Sequence, residues 1–214
     1  MGNVTTWAAE KLAKDAQRLK VVDRTPEDFL VIEAKNDYTF LVAVLDVQDI
    51  VQVSHVQPLF AGVNKPQLVV NVPSKTLWSG AAIEFVHSVP AAFGRMGDIA
   101  RAAETEAAEF FRDTSLGFFI NAMKQHKNVS TVSYVYDSVF RVDCRSGVSV
   151  TVAVVDAYNM SAEDVRNART SVGHFDVVVK SSSYGSITNQ AEAAAESMGA
   201  QALTFAGLMQ RLAR

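Results

Sequence analysis

The sequence lacks the features that mark several classes of protein. Its 214 residues include a single cysteine, Cys144, so no disulfide can form within the chain, which is typical of a reducing compartment. No apolar run approaches the roughly 18 residues that a membrane-spanning helix needs. The four histidines are scattered without an i, i+4 pair or an H-E-x-x-H motif, which disfavours a zinc site. We therefore expect a cytoplasmic protein with no membrane segment.

A strong excess of charge of one sign is lacking as well. The 20 Lys and Arg residues against 23 Asp and Glu residues give a formal net charge of −3, and no run of bases is present. The chain therefore has no general electrostatic attraction to nucleic acid. What the chain does have is a composition of 49% hydrophobic and 20% charged residues, which excludes disorder caused by low hydrophobicity. Such a chain is long enough for one large domain or two small ones.

A repeated stretch gives the first indication of architecture. The segment LVAVLDVQDI, which contains Asp46, returns 110 positions later as TVAVVDAYNM, which contains Asp156. Three longer segments match in the same order, at an offset of 110 or 109: VIEAKNDYTFLVAVLD with RVDCRSGVSVTVAVVD, QLVVNVPSK with DVVVKSSSY, and GRMGDIARA with TFAGLMQRL. A nearly constant offset of this kind indicates an internal repeat. We predict two α/β repeats, residues 1–103 and 104–214, packed tightly together.

Hydrophobic periodicity predicts the order of elements in each repeat. In the second repeat it predicts helix 104–128, strands 129–137, 138–144 and 148–156, a helix from Ser161, strand 175–180, a helix capped by Thr188 or Asn189 and ended by Gly199, strand 201–205 and a last helix. In the first repeat it predicts helix 5–20, a doubtful strand at VVDR, strands 28–34 and 38–46, a helix near 49–62, strand 67–72, helix 79–88, strand 91–95 and helix 97–104. The fold class is therefore α/β with α+β character, as a duplicated α-β-β-β-α-β-α-β-α unit with mixed sheets. Because residues 103–113 contain no Pro, Gly or Ser, we expect a continuous helix there.

Acidic residues occur at matching places in the two repeats. Glu33 and Asp143 lie on the second strand, and Asp46 and Asp156 follow 13 residues later at the end of the third. Antiparallel strands joined by a tight turn can bring such carboxylates to one edge of a sheet, and paired carboxylates suit Mg²⁺, which prefers oxygen ligands. All four acids are candidate catalytic residues, Asp143 and Asp156 are candidate metal ligands, and Mg²⁺ is the expected cofactor. The competing interpretation is that they are strand-end residues facing water.

The helix, three antiparallel strands, helix and further strand of each repeat resemble the core of restriction-endonuclease-like nucleases, the PD-(D/E)XK superfamily. The resemblance implies an Asp on the second strand and a (D/E)-x-K motif on the third, where this chain has Asp143 and Asp156. The lysine does not follow, because Gln48 and Tyr158 stand two residues after the second acids. The resemblance therefore implies binding of a nucleic acid or of a nucleotide or phosphate ligand, with catalysis lost or altered.

A second group of polar residues follows the central strand of each repeat. The carboxyl ends of parallel strands favour ligands, and free N–H groups at a helix start favour anions. The candidate ligand-binding residues at this edge are Asn71, Ser74, Lys75, Tyr158, Lys180, Ser181, Ser182 and Ser183. The simpler interpretation is ordinary capping and turn formation.

Two further hypotheses stay open at the level of sequence. One is a non-enzymatic scaffold that binds a protein partner, because a fold of this kind hosts many functions. The other is a small-molecule enzyme with its site around Asp156 and Lys180, for which a deep pocket would be required.

Overall fold

The helices and strands of the described residues build two five-stranded mixed sheets and one two-stranded parallel sheet, so the protein belongs to the α/β class. The computed structural model describes residues 3–14 and 19–213. The chain divides into two compact units, Met1–Asp113 and Thr114–Arg214.

The first unit carries one five-stranded sheet. Its elements are α1 (Val4–Lys14), β1 (Lys20–Arg24), β2 (Leu30–Glu33), β3 (Thr39–Leu45), β4 (Ile50–Val51), α2 (Val53–Val56), β5 (Leu68–Asn71), β6 (Leu77–Trp78), α3 (Gly80–Ser88), β7 (Ala92–Arg95) and α4 (Asp98–Ala103). The strand order is β1-β2-β3-β5-β7, with antiparallel pairs from β1 to β3 and parallel pairs from β3 to β7. Every residue of β5 is buried, as expected for a central parallel strand covered on both faces.

The second unit has the same arrangement. Its elements are α5 (Thr114–Gln125), β8 (Val129–Tyr136), β9 (Val139–Cys144), β10 (Ser149–Val155), α6 (Ala162–Val172), β11 (Val177–Lys180), α7 (Asn189–Ser197), β12 (Gln201–Thr204) and α8 (Phe205–Leu212). The strand order is β12-β11-β10-β9-β8, again with two antiparallel and two parallel pairs. One cluster of apolar side chains joins the sheet to α5 and α8, and another joins its opposite face to α6 and α7.

Strand registers also agree between the units. Glu33 pairs with Thr39 across β2 and β3. Asp143 and Ser149, which lie 110 positions after these two residues, pair in the same way across β9 and β10. In the parallel pair of β5 and β7, Leu68 lies opposite Ala92. The equivalent residues of β11 and β12 lie opposite each other with the same separation along the sequence. An origin of the units by duplication stays a prediction, and these shared registers are consistent with it.

Two predicted helices are wrong in part. The continuous helix over 103–113 does not form, because the chain turns after α4 and Glu106 takes a left-handed φ of 51°. The Thr105 hydroxyl donates to the Ala102 carbonyl at 2.7 Å, and such local bonds compete with helix continuation. The helix near 49–62 is divided into β4, the short α2 and a 3-10 turn that contains Pro58. Residues 15–18 of the predicted helix 5–20 lie outside the described residues.

Other local predictions are confirmed. Ser161 caps α6 in a capping box with Asp164, since the Ser161 hydroxyl oxygen accepts from the Asp164 N–H at 3.2 Å. The Thr188 hydroxyl caps α7 by accepting from the Ala191 N–H, and Gly199 follows that helix with a φ of 71°. The doubtful strand at VVDR forms as part of β1.

Candidate functional site

The four acids do not form carboxylate pairs at one edge of a sheet. Asp143 lies opposite Ser149 at the start of β10, whereas Asp156 follows the end of that strand. Seven residues of extended chain separate these levels, which is roughly 23 Å. Glu33 and Asp46 are separated in the same way along β3. The expectation that each pair meets at one edge is therefore wrong, and Asp143 and Asp156 cannot share one metal ion. Across the described ranges, no cluster of three or more His, Cys, Asp or Glu side chains is arranged to hold a metal ion.

Asp143 is instead held by its neighbours on the sheet. Its carboxylate accepts from the Ser149 hydroxyl at 2.5 Å, from Arg141 Nε at 2.9 Å and from the Thr131 hydroxyl at 2.9 Å. The bond from Ser149, followed by those from Arg141 and Thr131, lowers the pKa of Asp143 from 3.8 to about 2. The residue thus stabilises cross-strand contacts.

The carboxylate of Glu27 has a comparable role in the first unit. Its Oε2 accepts from Asn64 Nδ2 at 2.7 Å, which fastens the loop after α2 to the β1–β2 turn. The hydrogen bond from the Asn64 side chain is the main cause that lowers the pKa of Glu27 from 4.5 to about 2.

These two groups predict part of the acid sensitivity of the fold. Because both folded-state pKa values lie below the ordinary values, the stabilisation is present above about pH 4.5 and is lost as the pH falls towards about 2. Thermal melting followed by circular dichroism between these limits should fall less steeply with acid for Asp143→Asn and Glu27→Gln than for the wild type. The exposed Glu10→Gln change should leave the slope unaltered, and equal slopes in all four proteins would contradict the assignment.

The carboxyl edge of the second sheet is closed by its own loop. Lys180 is 2% exposed, and its ammonium donates to the Ser182 carbonyl at 2.5 Å and to the Tyr184 carbonyl. The Ser181 hydroxyl donates to Asp156 Oδ1 at 3.1 Å, and the Tyr184 N–H donates to the Ser182 hydroxyl at 3.1 Å. The donors that were expected to hold an anion are thus used to fold residues 181–186.

In the first unit Asn71, at the end of β5, holds the neighbouring loop as Lys180 does in the second unit. This buried side chain accepts from the Val47 N–H at 2.9 Å and donates to the Val47 carbonyl at 3.0 Å. Ser74 and Lys75 are exposed on the following loop. In the second unit Ser183 and Tyr158 are likewise exposed. The structure brings Asp156, Lys180, Ser181 and Ser182 together at this edge, where their hydrogen bonds are made within the loop itself.

A cleft lies at the opposite end of the second sheet. It has a volume of about 320 Å³ and is formed by the end of β9, the β9–β10 turn, the segment after α5 and the last turn of α8. Its lining residues are Asn128, Cys144, Arg145, Ser146, Val148, Val150, Arg211 and Leu212. The hairpin turn allows this shape because Gly147 adopts a φ of 88°.

Backbone and side-chain bonds fix the walls of this cleft. The Arg145 N–H donates to the Asn128 carbonyl at 2.8 Å, which joins the hairpin to the segment after α5. Asn128 Nδ2 donates to the Leu212 carbonyl at 2.9 Å, which joins that segment to the end of α8. Three parts of the chain that are distant in sequence thus meet in a defined geometry.

The described residues that line the cleft carry positive charge only. Arg211 bonds to the neutral Gln201 side chain, and Arg145 has neither a side-chain hydrogen bond nor an ion pair in the part of the chain that the structure describes. Asp143 is next to Cys144 in sequence, but successive residues of a strand face opposite sides of the sheet. The carboxylate of Asp143 is bound to Arg141 instead. No acidic residue lines the cleft.

The first unit has a corresponding cleft with the reverse balance of charge. It measures about 240 Å³ and is lined by Ala34 and Lys35, which occupy the positions of Cys144 and Arg145, together with Glu104 and Glu106. Arg101, which corresponds to Arg211, is bound by Asp98 and by Asp113 at 3.0 Å. Of these two clefts, the one in the second unit is lined by arginines that have no acidic partner among the described residues.

This cleft was not predicted from the sequence, although a signal was present. Residues 114–128 and 197–213 contain no Asp or Glu, while they contain Lys124, Lys127 and Arg211. Absence of acids near several bases is a weaker pattern than a basic run, but it indicates the same electrostatic feature.

Comparison with protein-family models, with curated proteins and with solved structures finds no match to this chain. No helix within the described residues is long and apolar enough to span a bilayer.

Proposed function

We propose that the protein binds a phosphate-bearing ligand, of the nucleotide or nucleic-acid class, at the cleft between Arg145 and Arg211 and without metal-dependent catalysis. The observation that carries the proposal is the presence in one concave site of two arginines that have no carboxylate partner within residues 3–14 and 19–213. Arginine matches phosphate oxygens through several fixed N–H donors, which makes it well suited to such ligands.

The surroundings of the cleft support this choice. Lys124 and Lys127 lie on the last turn of α5 and just after it, and both are exposed. The nearest segment of chain, residues 114–128, carries no acid that would neutralise them. Charges of one sign around a cleft raise the local concentration of an anionic ligand.

The resemblance to restriction-endonuclease-like proteins stays a prediction, and the proposal uses only its non-catalytic form. A metal-dependent nuclease needs acids that meet at one metal ion, and here the paired acids lie at opposite ends of a strand. Mg²⁺ is accordingly not required for binding in this proposal.

The arginines provide the direct test. We expect the double change Arg145→Gln with Arg211→Gln to weaken binding of a mononucleotide or a short oligonucleotide on the order of 100-fold, because charged hydrogen bonds contribute about 1.5–3 kcal/mol each. Isothermal titration calorimetry measures this loss directly. Binding by the wild type should be equal in Mg²⁺ and in a chelator.

Matched controls exist in the first unit. Lys35→Gln removes a positive charge from the corresponding cleft, where Glu104 and Glu106 are present, and should leave binding within about twofold of the wild type. Loss of affinity in this control equal to that of Arg145→Gln, or phosphate-diester cleavage that depends on Mg²⁺, would contradict the proposal.

A protein-interaction scaffold is the second candidate function. Tyr158 and Tyr184 are 69% and 74% exposed on neighbouring loops at the carboxyl edge of the second sheet, and exposed aromatic side chains are typical of interfaces. The double change Tyr158→Ser with Tyr184→Ser should abolish any such interaction without affecting ligand binding at the cleft.

A further inference from the structure

We infer that the ligand of the second unit's cleft is a small organic phosphate ester, with its phosphate between Arg145 and Arg211 and its organic part against an apolar wall. This inference rests on the proposed phosphate binding and names the ligand class.

The size of the cleft favours a small molecule. Its volume of about 320 Å³ falls at the lower end of the range of roughly 300–1,000 Å³ that small-molecule sites occupy. Hydrogen bonds join its three walls, through Asn128 to Leu212 and through Arg145 to Asn128, so the site is formed before a ligand arrives. A preformed site of this size admits a mononucleotide-sized ester.

The charge of the cleft matches one phosphate monoester. Such a group carries about −1.5 to −2 charge near neutral pH, which balances two guanidinium groups. The Ser146 hydroxyl and the Asn128 carboxamide add polar groups to the same lining. A single carboxylate would leave one positive charge without a counterpart.

An apolar wall argues for an organic substituent on the phosphate. Val148 is 58% exposed and supplies most of the exposed hydrocarbon surface of the cleft, where the buried Val150 and Leu212 form the floor beside it. Inorganic phosphate would leave this surface in water, whereas the sugar or other organic part of an ester would cover it. The ligand should therefore bind more tightly than phosphate alone.

Nucleic acid is the less favoured phosphate ligand at this site. No aromatic side chain lines the cleft, so it lacks the stacking surface that single-stranded nucleic-acid sites use. The exposed Tyr158 and Tyr184 follow β10 and β11, at the other end of the sheet. Lys124 and Lys127 lie beside the cleft but do not line it.

The test compares three ligands on wild-type protein and on Val148→Ser, with inorganic phosphate, a nucleoside monophosphate and a short single-stranded oligonucleotide as probes. We expect the monophosphate to bind more tightly than inorganic phosphate. Val148→Ser should weaken the monophosphate about three- to tenfold, as expected for loss of roughly 50 Å² of apolar contact, and leave inorganic phosphate within about twofold. Val63→Ser, at a position that is 92% exposed in the first unit, is the matched control and should change neither affinity.

Cys144 offers a second readout, since it is the only cysteine of the chain and lines the cleft. The monophosphate should slow its alkylation by an uncharged maleimide at concentrations near the dissociation constant.

The possible failures are distinct. Preferential binding of the oligonucleotide, with a steep salt dependence that Lys124→Gln and Lys127→Gln reduce, would overturn the small-ligand inference but keep phosphate binding. Equal affinity for inorganic phosphate and the monophosphate, unaffected by Val148→Ser, would also overturn it. Binding of none of the three probes would overturn both the inference and the proposed function.

Discussion

Replacement of Phe140 by alanine should destabilise the second unit by about 3–5 kcal/mol, the usual cost of removing a large aromatic side chain from a core. Phe140 lies on β9, the strand between β8 and β10, and its side chain is 0% exposed. Its ring centroid lies 4.7 Å from that of Phe119 and 4.9 Å from that of Tyr134. Because α5 covers this face of the sheet, the cavity cannot collapse without moving the helix from the strands.

Urea denaturation followed by far-ultraviolet circular dichroism measures the loss. Phe118→Ala is the matched control, since Phe118 neighbours Phe119 on α5 but is 60% exposed, and it should cost less than about 1 kcal/mol. Both tryptophans, Trp7 and Trp78, belong to the first unit, so their fluorescence reports that unit separately. A Phe140→Ala protein as stable as Phe118→Ala would contradict the assigned core.

The strands of the second unit could be predicted because their pattern is local. β11 begins with three consecutive valines, and such apolar runs are buried on both faces of a parallel sheet. Ser161 and Thr188 were predictable caps, since a hydroxyl before a helix satisfies free N–H groups whatever the tertiary fold. Residues 103–113 were misjudged because neither Pro nor Gly marks the turn, in which Glu106 takes a left-handed φ and the Thr105 hydroxyl donates to the Ala102 carbonyl.

The positions of the four acids show a second limit of prediction from sequence spacing. The spacing of 13 residues correctly places Asp143 on one strand of the hairpin and Asp156 at the end of the other, but the distance of each residue from the turn decides whether they meet. Asp143 stands close to the turn at Gly147, and Asp156 stands beyond the far end of β10. Counting residues from the turn in both directions would have separated them. The cleft could not be predicted by counting residues within one hairpin, because residues from three segments that are distant in sequence form it.

The second large effect is expected for Gly185→Ala, which should destabilise the second unit by about 3 kcal/mol or more. Gly185 has a φ of 76°, and a Cβ at this position would stand 1.9 Å from the carbonyl oxygen of Tyr158. That contact is with backbone, so the loop over residues 181–186 must move. Lys180 would then lose the Ser182 and Tyr184 carbonyls that accept from its buried ammonium, and an unsatisfied buried charge is costly.

Gly199→Ala is a control that introduces the backbone strain without the steric clash. Gly199 has a nearly equal φ of 71°, but nothing lies within 4 Å of a Cβ placed there. This control should therefore cost only the left-handed conformation, about 1 kcal/mol. Thermal melting should fall on the order of 10 °C further for Gly185→Ala than for Gly199→Ala, and equal melting temperatures would contradict the close approach of the two loops.

The same variant also tests which end of the sheet binds the ligand. Residues 181–186 follow the carboxyl end of β11, whereas the Arg145–Arg211 cleft lies at the other end of the sheet. At a temperature where Gly185→Ala is still folded, its affinity for a nucleoside monophosphate should equal that of the wild type. A loss of affinity without unfolding would place the ligand beside Lys180 and Asp156 and would contradict binding at the arginines.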